Sequence, residues 1–381
     1  MTTKPKSGCG GPIIDGDFSI KNLIKKIGKG PRLAKDLSRA EATAALTQIL
    51  NETALPEQVG AFLIALRIKS ETAEETAGLI DALRSKSVRL HTGLPKLLEL
   101  AAAHDGKNKN LVISPYVSAI LAAQGIPVLL TGGVDVPTKK GVTARHILAA
   151  LGHPVRHDGE SVKQRLQTQH FAYWDVADYC PALEALKVLR TNIGLRTTLN
   201  TVEKAINPAQ ATHLCTGVFH GPYLKDLAEA LSLTGEKNVL CLQATEASTD
   251  LPLKKRTLFR RVKEGVILEQ DEIDPASIGF KREANAVFLG ESCLLPAAEA
   301  DEEPDDLVPD IAKLTAINIE KANDALKSRQ GLVYDAIVYN AGVQFWFVGE
   351  VDSLVQGIDL AVQVIRTGRP MDLLNHQKGN S

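Results

Sequence analysis

Aromatic residues are scarce in this chain: Phe, Tyr and Trp together make up 4% of its 381 residues. Any platform for stacking bases or sugars must therefore be sparse and local. Net charge is also nearly absent, at −1, so the molecule as a whole is no basic nucleic-acid binder. Such a role would have to rest on a local patch. The cysteines Cys9, Cys180, Cys215, Cys241 and Cys293 include no CxxC pair, which excludes a metal or redox motif of that kind. An odd, scattered set suits a reducing compartment, and Cys9, in SGCGGP, reads as a tail thiol without a role. No window holds about 18 consecutive apolar residues. The opening MTTKPKSGCGGP lacks the apolar core of a signal peptide. The expectation is a cytoplasmic protein with no membrane contact.

What remains is an ordinary globular composition, 44% hydrophobic and 23% charged, with enough length for two domains or one large one. Residues 1–18 and 376–381 read as tails. IKNLIKKI at 20–27 has helical spacing and stops at Gly28 and Gly30. Ser38 and Glu41 form a capping box, and Pro56 and Glu71 open two further helices. Residues 19–90 thus read as a small helical domain, joined in space by helices near 181–235. From residue 91 to 375 short apolar runs alternate with helical patterns. LVIS (111–114), IPVLLT (126–131) and KNVLCLQA (237–244) read as strands, and PALEALKVLRTNIG (181–194) and HGPYLKDLAEALSLTG (220–235) as helices. Acidic ADEEPDDLVPD (300–310) reads as an exposed loop, followed by three long C-terminal helices. The pattern is α/β: a small helical domain plus a larger α/β domain with a mostly parallel sheet.

Within it, VLLTGGVDVPTKKGVTARHILAALG (128–152) runs strand, glycines, lysines, helix. That order can cradle phosphate, because backbone N–H groups and ammonium groups converge on one anion.

PEQVGAFLIALRIKSETAEETAGLIDALRSKS, then ILAALGHPV, PALEALKVLRTNIGLRT and YDAIVYNAGVQFWFVGEVDSLVQGIDLAVQVIRTG follow one another in the order of a known family. Over roughly residues 20–375 the chain resembles the anthranilate phosphoribosyltransferases, glycosyltransferase family 3. The resemblance implies a nucleoside phosphorylase/phosphoribosyltransferase-class fold and a homodimer through the helical domain. In active members it implies transfer of phosphoribose from phosphoribosyl pyrophosphate to anthranilate, with magnesium.

The family motifs are altered here. Where active members carry the glycine turn GTGGD, this chain has Ala102-Ala103-His104-Asp105-Gly106, followed by Lys107 and Lys109. KHGN is matched by Leu130-Thr131-Gly132-Gly133, so the phosphate-pairing lysine is a leucine. Lys139, beside Lys140, still falls on a family lysine position. The Asp-Glu pair that positions magnesium is matched by LQATEASTDLP, where Glu246 and Asp250 are weak metal candidates. FNLLGPLTNP is matched by LNTVEKAINP, with Glu203-Lys204 in place of Gly-Pro. Arg190 matches the arginine that meets the anthranilate carboxylate. Removing a single oxyanion-type donor can cost about 2.7–4 kcal/mol of transition-state stabilisation, and here three elements differ together. No residue is assigned as catalytic.

The chain resembles more closely a divergent branch of the family that lacks the activity and binds nucleic acid through positive surfaces. On that resemblance Lys204, Arg190, Lys139, Lys140, Lys107 and Lys109 are phosphate- or nucleic-acid-binding candidates. LKKRTLFRRVKEG adds Lys254, Lys255, Arg256, Arg260 and Arg261, with Lys263 close by. That cluster is either an anion-attracting surface or a solvated face paired with acids such as Glu264 and Asp271. Lys25, Lys26, Lys29, Arg32 and Lys35 read as a solvated helix face. Trp174 reads as core, Asn340 as a helix-packing residue, and His104-Asp105 as a loop pair. Three readings follow: a degenerate transferase fold that binds nucleic acid, a phosphoribosyltransferase on anthranilate or another aromatic acceptor using phosphoribosyl pyrophosphate and magnesium, and a non-catalytic dimeric partner protein.

Overall fold

The computed structural model describes residues 18–30, 32–281, 284–286 and 310–375. Cys9, Cys293, both tails up to residue 17 and from 376, and all of the acidic segment except Asp310 lie outside the described residues. Four helices open the chain: α1 (Ile20–Ile27), α2 (Arg39–Leu50), α3 (Pro56–Lys69) and α4 (Ala73–Ser85). The capping box is present at α2. The Glu41 N–H donates to Ser38 Oγ at 3.3 Å and the Ser38 N–H to Glu41 Oε2 at 2.7 Å. Thr72 and Glu75 repeat it at α4. Apolar residues at helical spacing, among them Leu23, Ile27, Leu46, Ile49, Leu63 and Leu66, bury one stripe of α1, α2 and α3, and α4 is buried around most of its girth.

The larger part is one sheet. Its strands are β1 (Leu98–Ala101), β2 (Val128–Gly132), β3 (Phe171–Asp175), β4 (His213–Val218), β5 (Val239–Gln243), β6 (Thr257–Lys263), β7 (Val266–Ile267) and β8 (Asp271–Ile273). The order is β3-β2-β1-β4-β5-β6-β7, with β8 also on β6. The first five strands are parallel, and β6 reverses against β5. Alternation of side chains places Leu98, Leu100, Val128, Leu130, Cys215 and Leu240 in one core. Ala101, Leu129, Trp174, Leu214, Val239 and Cys241 fall in the other. Helices cover both faces, as a parallel sheet requires. The first core is closed by the C-terminal helices Ile311–Ser328, Leu332–Phe347 and Leu354–Arg366.

Two expectations need correction. LVIS is not a strand: Leu111–Ile113 run irregularly into a helix that starts at Ser114, with Pro115 in its first turn. Proline suits that position, where its missing N–H is not needed. The preceding backbone is held instead by Ala286 O and Asn318 Oδ1. The strand in that place is β1, LELA, too short to show a period of two. The helix expected over 181–194 is broken into Pro181–Glu184 and Lys187–Ile193. Trp174 is core, 1% exposed, and its indole N–H donates to His157 O. Asn340 is also buried, and its amide meets the backbone of Leu251.

Candidate functional site

The carboxyl ends of β1, β2 and β5 carry the segments 102–110, 133–143 and 244–250, where open α/β sheets place ligands. Gly106 has φ +87° and packs on Gly141; a Cβ on Gly106 would lie 2.2 Å from the Gly141 carbonyl carbon. The two segments are zipped by backbone bonds between Lys107 and Val142, at 2.8 and 3.0 Å, and from the Gly141 N–H to Asp105 O. These glycines therefore serve the approach of one loop to another.

The charged side chains of the cleft find partners within the chain itself. Lys107 is fully buried, and its ammonium meets three oxygens: Asp250 Oδ2 at 2.5 Å, Thr245 Oγ1 at 3.0 Å and Leu111 O at 3.1 Å. Arg190 is buried and gripped at two points by Glu203, at 2.9 and 3.1 Å. Asp105 accepts from Arg196 at 2.7 Å. Lys204 is buried and donates to Gly217 O at 2.5 Å and Ala247 O at 3.0 Å. Burial pulls its ammonium down to about 8, against the favourable charges of Glu203 and Asp105.

Glu246 is the centre of the arrangement. Its carboxylate accepts from the N–H groups of Asn108 (2.9 Å), Lys109 (3.4 Å) and Asn110 (2.9 Å) and from Asn110 Nδ2 (3.0 Å). It also pairs with Lys139. Burial by itself would raise this carboxyl. Lys139 and the Asn108 N–H prevail, holding it at about 2. The backbone is left-handed at Glu246 (φ +48°) and Ala247 (φ +58°). Such positions cost of order 1–3 kcal/mol each and persist where their surroundings hold them. A run of N–H groups with an ammonium is a phosphate-type receptor, and here a side-chain carboxylate fills it.

His104 is buried, and its Nδ1 accepts the Gly106 N–H at 3.0 Å. Burial, then Lys107 and Lys204, push it down to about 3, so the ring is neutral with its proton on Nε2. His104 and Asp105 have separate partners and form no base-and-orienter pair.

Lys204, Arg190 and Lys107 are thus buried and bonded within the chain, Arg190 and Lys107 to carboxylates and Lys204 to two backbone carbonyls. Lys139 is held by Glu246. Lys109 and Lys140 are exposed at the rim, with no carboxylate partner among the described residues. Glu246 and Asp250 do not form a metal pair: one faces the loop 108–110 and the other faces Lys107. Among the described residues no three His, Cys, Asp or Glu side chains are grouped to hold a metal. Magnesium on pyrophosphate needs carboxylates free to meet it, so these residues do not fit the group.

The second basic cluster lies elsewhere, on and before β6. Arg256 pairs with Glu272 at 2.7 Å and Asp274 at 3.3 Å. Arg260 donates to Leu268 O and lies 3.8 Å from Glu269. Arg261 lies over the Trp346 ring, 4.4 Å from its centre. The pairing expected with acids holds for Arg256 and Arg260, through different acids from Glu264 and Asp271. Lys254, Lys255 and Lys263 are exposed and have no carboxylate partner among the described residues. Sequence reasoning misses Glu203 and Glu246 as internal anions. The signal available is the arrival of Glu203 where the family pattern has glycine, and the separation of Glu246 from Asp250 where the pattern has an adjacent pair.

An α/β sheet with a helical bundle and a phosphate-type loop cluster at its carboxyl edge defines a glycosyl transferase fold. Residues 21–87 match the glycosyl transferase family helical bundle domain, and residues 104–293 match the family's a/b domain. The chain belongs to this family, that of the anthranilate phosphoribosyltransferases. It is 26% identical over 344 residues to the anthranilate phosphoribosyltransferase of Brevibacillus brevis, covering 90% of this chain and 94% of that protein. With the Methylococcus capsulatus enzyme it shares 28% over 334 residues, covering 88% and 91%. The crystal structure of anthranilate phosphoribosyltransferase from Thermus thermophilus has the same fold, with TM-score 0.74 at 23% identity, covering 94% of this chain and 97% of that one.

Proposed function

We propose that this chain is a family member whose phosphoribosyl pyrophosphate site is closed by its own carboxylates, and that it binds nucleic acid through exposed lysines. The observation that carries the first half is Glu246 seated on three backbone N–H groups and Lys139. An anionic ligand would have to displace it and leave that carboxylate without its donors. Glu203 does the same at Arg190, where the family resemblance puts a substrate carboxylate. Support for the second half is that Lys254, Lys255 and Lys263, with Lys109 and Lys140, are exposed and lack carboxylate partners among the described residues. Unpaired surface cations release counterions from a polyanion, which is where non-specific affinity originates.

Fluorescence anisotropy with a labelled oligonucleotide tests the reading. Binding that weakens steeply between about 50 and 200 mM salt, and that is lost on charge reversal of Lys254, Lys255 and Lys263, is expected. No binding at the lower salt overturns it. The named activity of the relatives favours a second reading, transfer of phosphoribose to an aromatic acceptor. Calorimetry with phosphoribosyl pyrophosphate and magnesium separates the two, since the closed site gives no heat. Self-association through the helical part is supported by exposed Leu33, Leu55, Ile68 and Val188, which are 67%, 62%, 70% and 72% accessible. Light scattering showing only a monomer would remove that part.

A further inference from the structure

In a chain poor in aromatics, two rings stand out of the surface side by side. Phe219 is 56% exposed and Tyr223 48%. Exposed His220 lies between them. The Phe219 and His220 ring centres are 4.8 Å apart at 88°, and those of His220 and Tyr223 are 6.5 Å apart at 48°. The loop that holds them is fixed by backbone. It leaves β4 at Val218, and Phe219 O accepts from Gln243 Nε2 at 3.2 Å. A Cβ on Gly221 would lie 3.2 Å from Leu258 Cδ1 of β6, so the turn rests directly on that strand. The Leu224 N–H bonds Gly221 O at 3.0 Å, and the helix Tyr223–Leu233 begins. The rings are thus presented by a turn tied to β5 through Gln243 and resting on β6 through Leu258.

Charge lies beside them. Lys225 follows on the same helix, 62% exposed and only 3.9 Å from Glu229 at best. In the sheet order β4-β5-β6, β6 is two places from β4, and Lys254 and Lys255 precede its start at the carboxyl edge, where Phe259 pairs with Leu242; Lys263 lies at the opposite edge, next to the Val239–Val262 pair. Aromatic faces near exposed lysines, of which Lys254 and Lys255 have no carboxylate partner among the described residues, combine the two elements of single-strand recognition: bases stack on rings while the backbone follows the positive charge. A duplex keeps its base faces stacked on each other and cannot use the rings.

We propose that Phe219, His220 and Tyr223 form a base-stacking platform for single-stranded nucleic acid. This rests on the nucleic-acid reading above and deepens it, because it names the strand state and the residues that hold the bases. Anisotropy of a labelled oligo(dT) is compared for the wild type, Phe219→Ala, Tyr223→Ala, the double variant and the conservative Phe219→Tyr. Each alanine weakens binding about ten-fold, the slope of affinity against salt stays as in the wild type, and Phe219→Tyr retains affinity. A hairpin duplex competes poorly. The side chains are exposed, so melting curves of the variants overlay. If the double variant binds like the wild type while reversal of Lys254, Lys255 and Lys263 abolishes binding, the platform is wrong and the nucleic-acid reading stands. If duplex binds as well as single strand, the platform is equally overturned. If the wild type binds no oligonucleotide, both fail.

Discussion

The cleft at the carboxyl edge of the sheet and the surface around β6 are both rich in charged side chains, yet the buried cations of the cleft are bonded within the chain while the lysines around β6 are left to water. In the cleft, Lys107, Lys139, Arg190 and Arg196 each have a carboxylate: Asp250, Glu246, Glu203 and Asp105. Around β6 the lysines at 254, 255 and 263 have none among the described residues. Burial explains the difference. A desolvated ion needs a counter-ion or, as at Lys204, carbonyl oxygens to meet it, whereas water solvates an exposed lysine at no comparable cost. Counting lysines along a chain therefore says little about which of them can meet a ligand.

The largest expected effect breaks that contrast at Lys107. Lys107→Ala strands the Asp250 carboxylate in the interior and should lower unfolding free energy by about 3–5 kcal/mol. Lys254→Ala should stay within about 0.5 kcal/mol. Denaturant titration of both variants checks the pair, and equal effects would show that the cleft is more open to water than its geometry indicates. Next comes the charge reversal of Lys254, Lys255 and Lys263. It should abolish single-strand binding, and neutralising the same lysines to glutamine should reduce the salt slope by about 2, since each phosphate contact contributes about 0.7. The stability curve should not move.

Glu246→Ala sharpens the comparison by vacating the anion receptor. Calorimetry with pyrophosphate should show heat for this variant at millimolar ligand and none for the wild type. Heat in neither would mean that Glu246 is not what closes the site. The smallest effect is on acid stability. Glu246 titrates at about 2 in the fold against an ordinary 4.5, so its stabilisation is present above 4.5 and is lost as pH falls towards 2. Subtracting the acid-denaturation curve of Glu246→Gln from that of the wild type should isolate a difference confined to that window.

Much of the fold is legible in the residues alone. The capping boxes, the proline at the start of α3 and the periodic helices at the end of the chain are local signals, and local hydrogen bonds or apolar stripes realise them. Strands that depend on non-local pairing are harder to read. LELA gives no signal because four buried residues show no alternation. LVIS misleads because an apolar run ahead of Ser114-Pro115 looks the same whether it pairs in a ladder or bonds to distant backbone. At the site, the losses from the family pattern are visible residue by residue, but their consequence is not. Glu246 and Lys139 are 107 positions apart, and Lys107 and Asp250 are 143 apart.

By itself, the sequence determined the class of fold, the order of its parts and the altered phosphate motifs, because residue type and spacing act locally. Only the tertiary structure decided which charges remain available. It brought Glu203 to Arg190 and Glu246 to the loop 108–110, and it left the rings of Phe219 and Tyr223 in water. Availability depends on burial and on partners from distant segments, and folding alone brings those together.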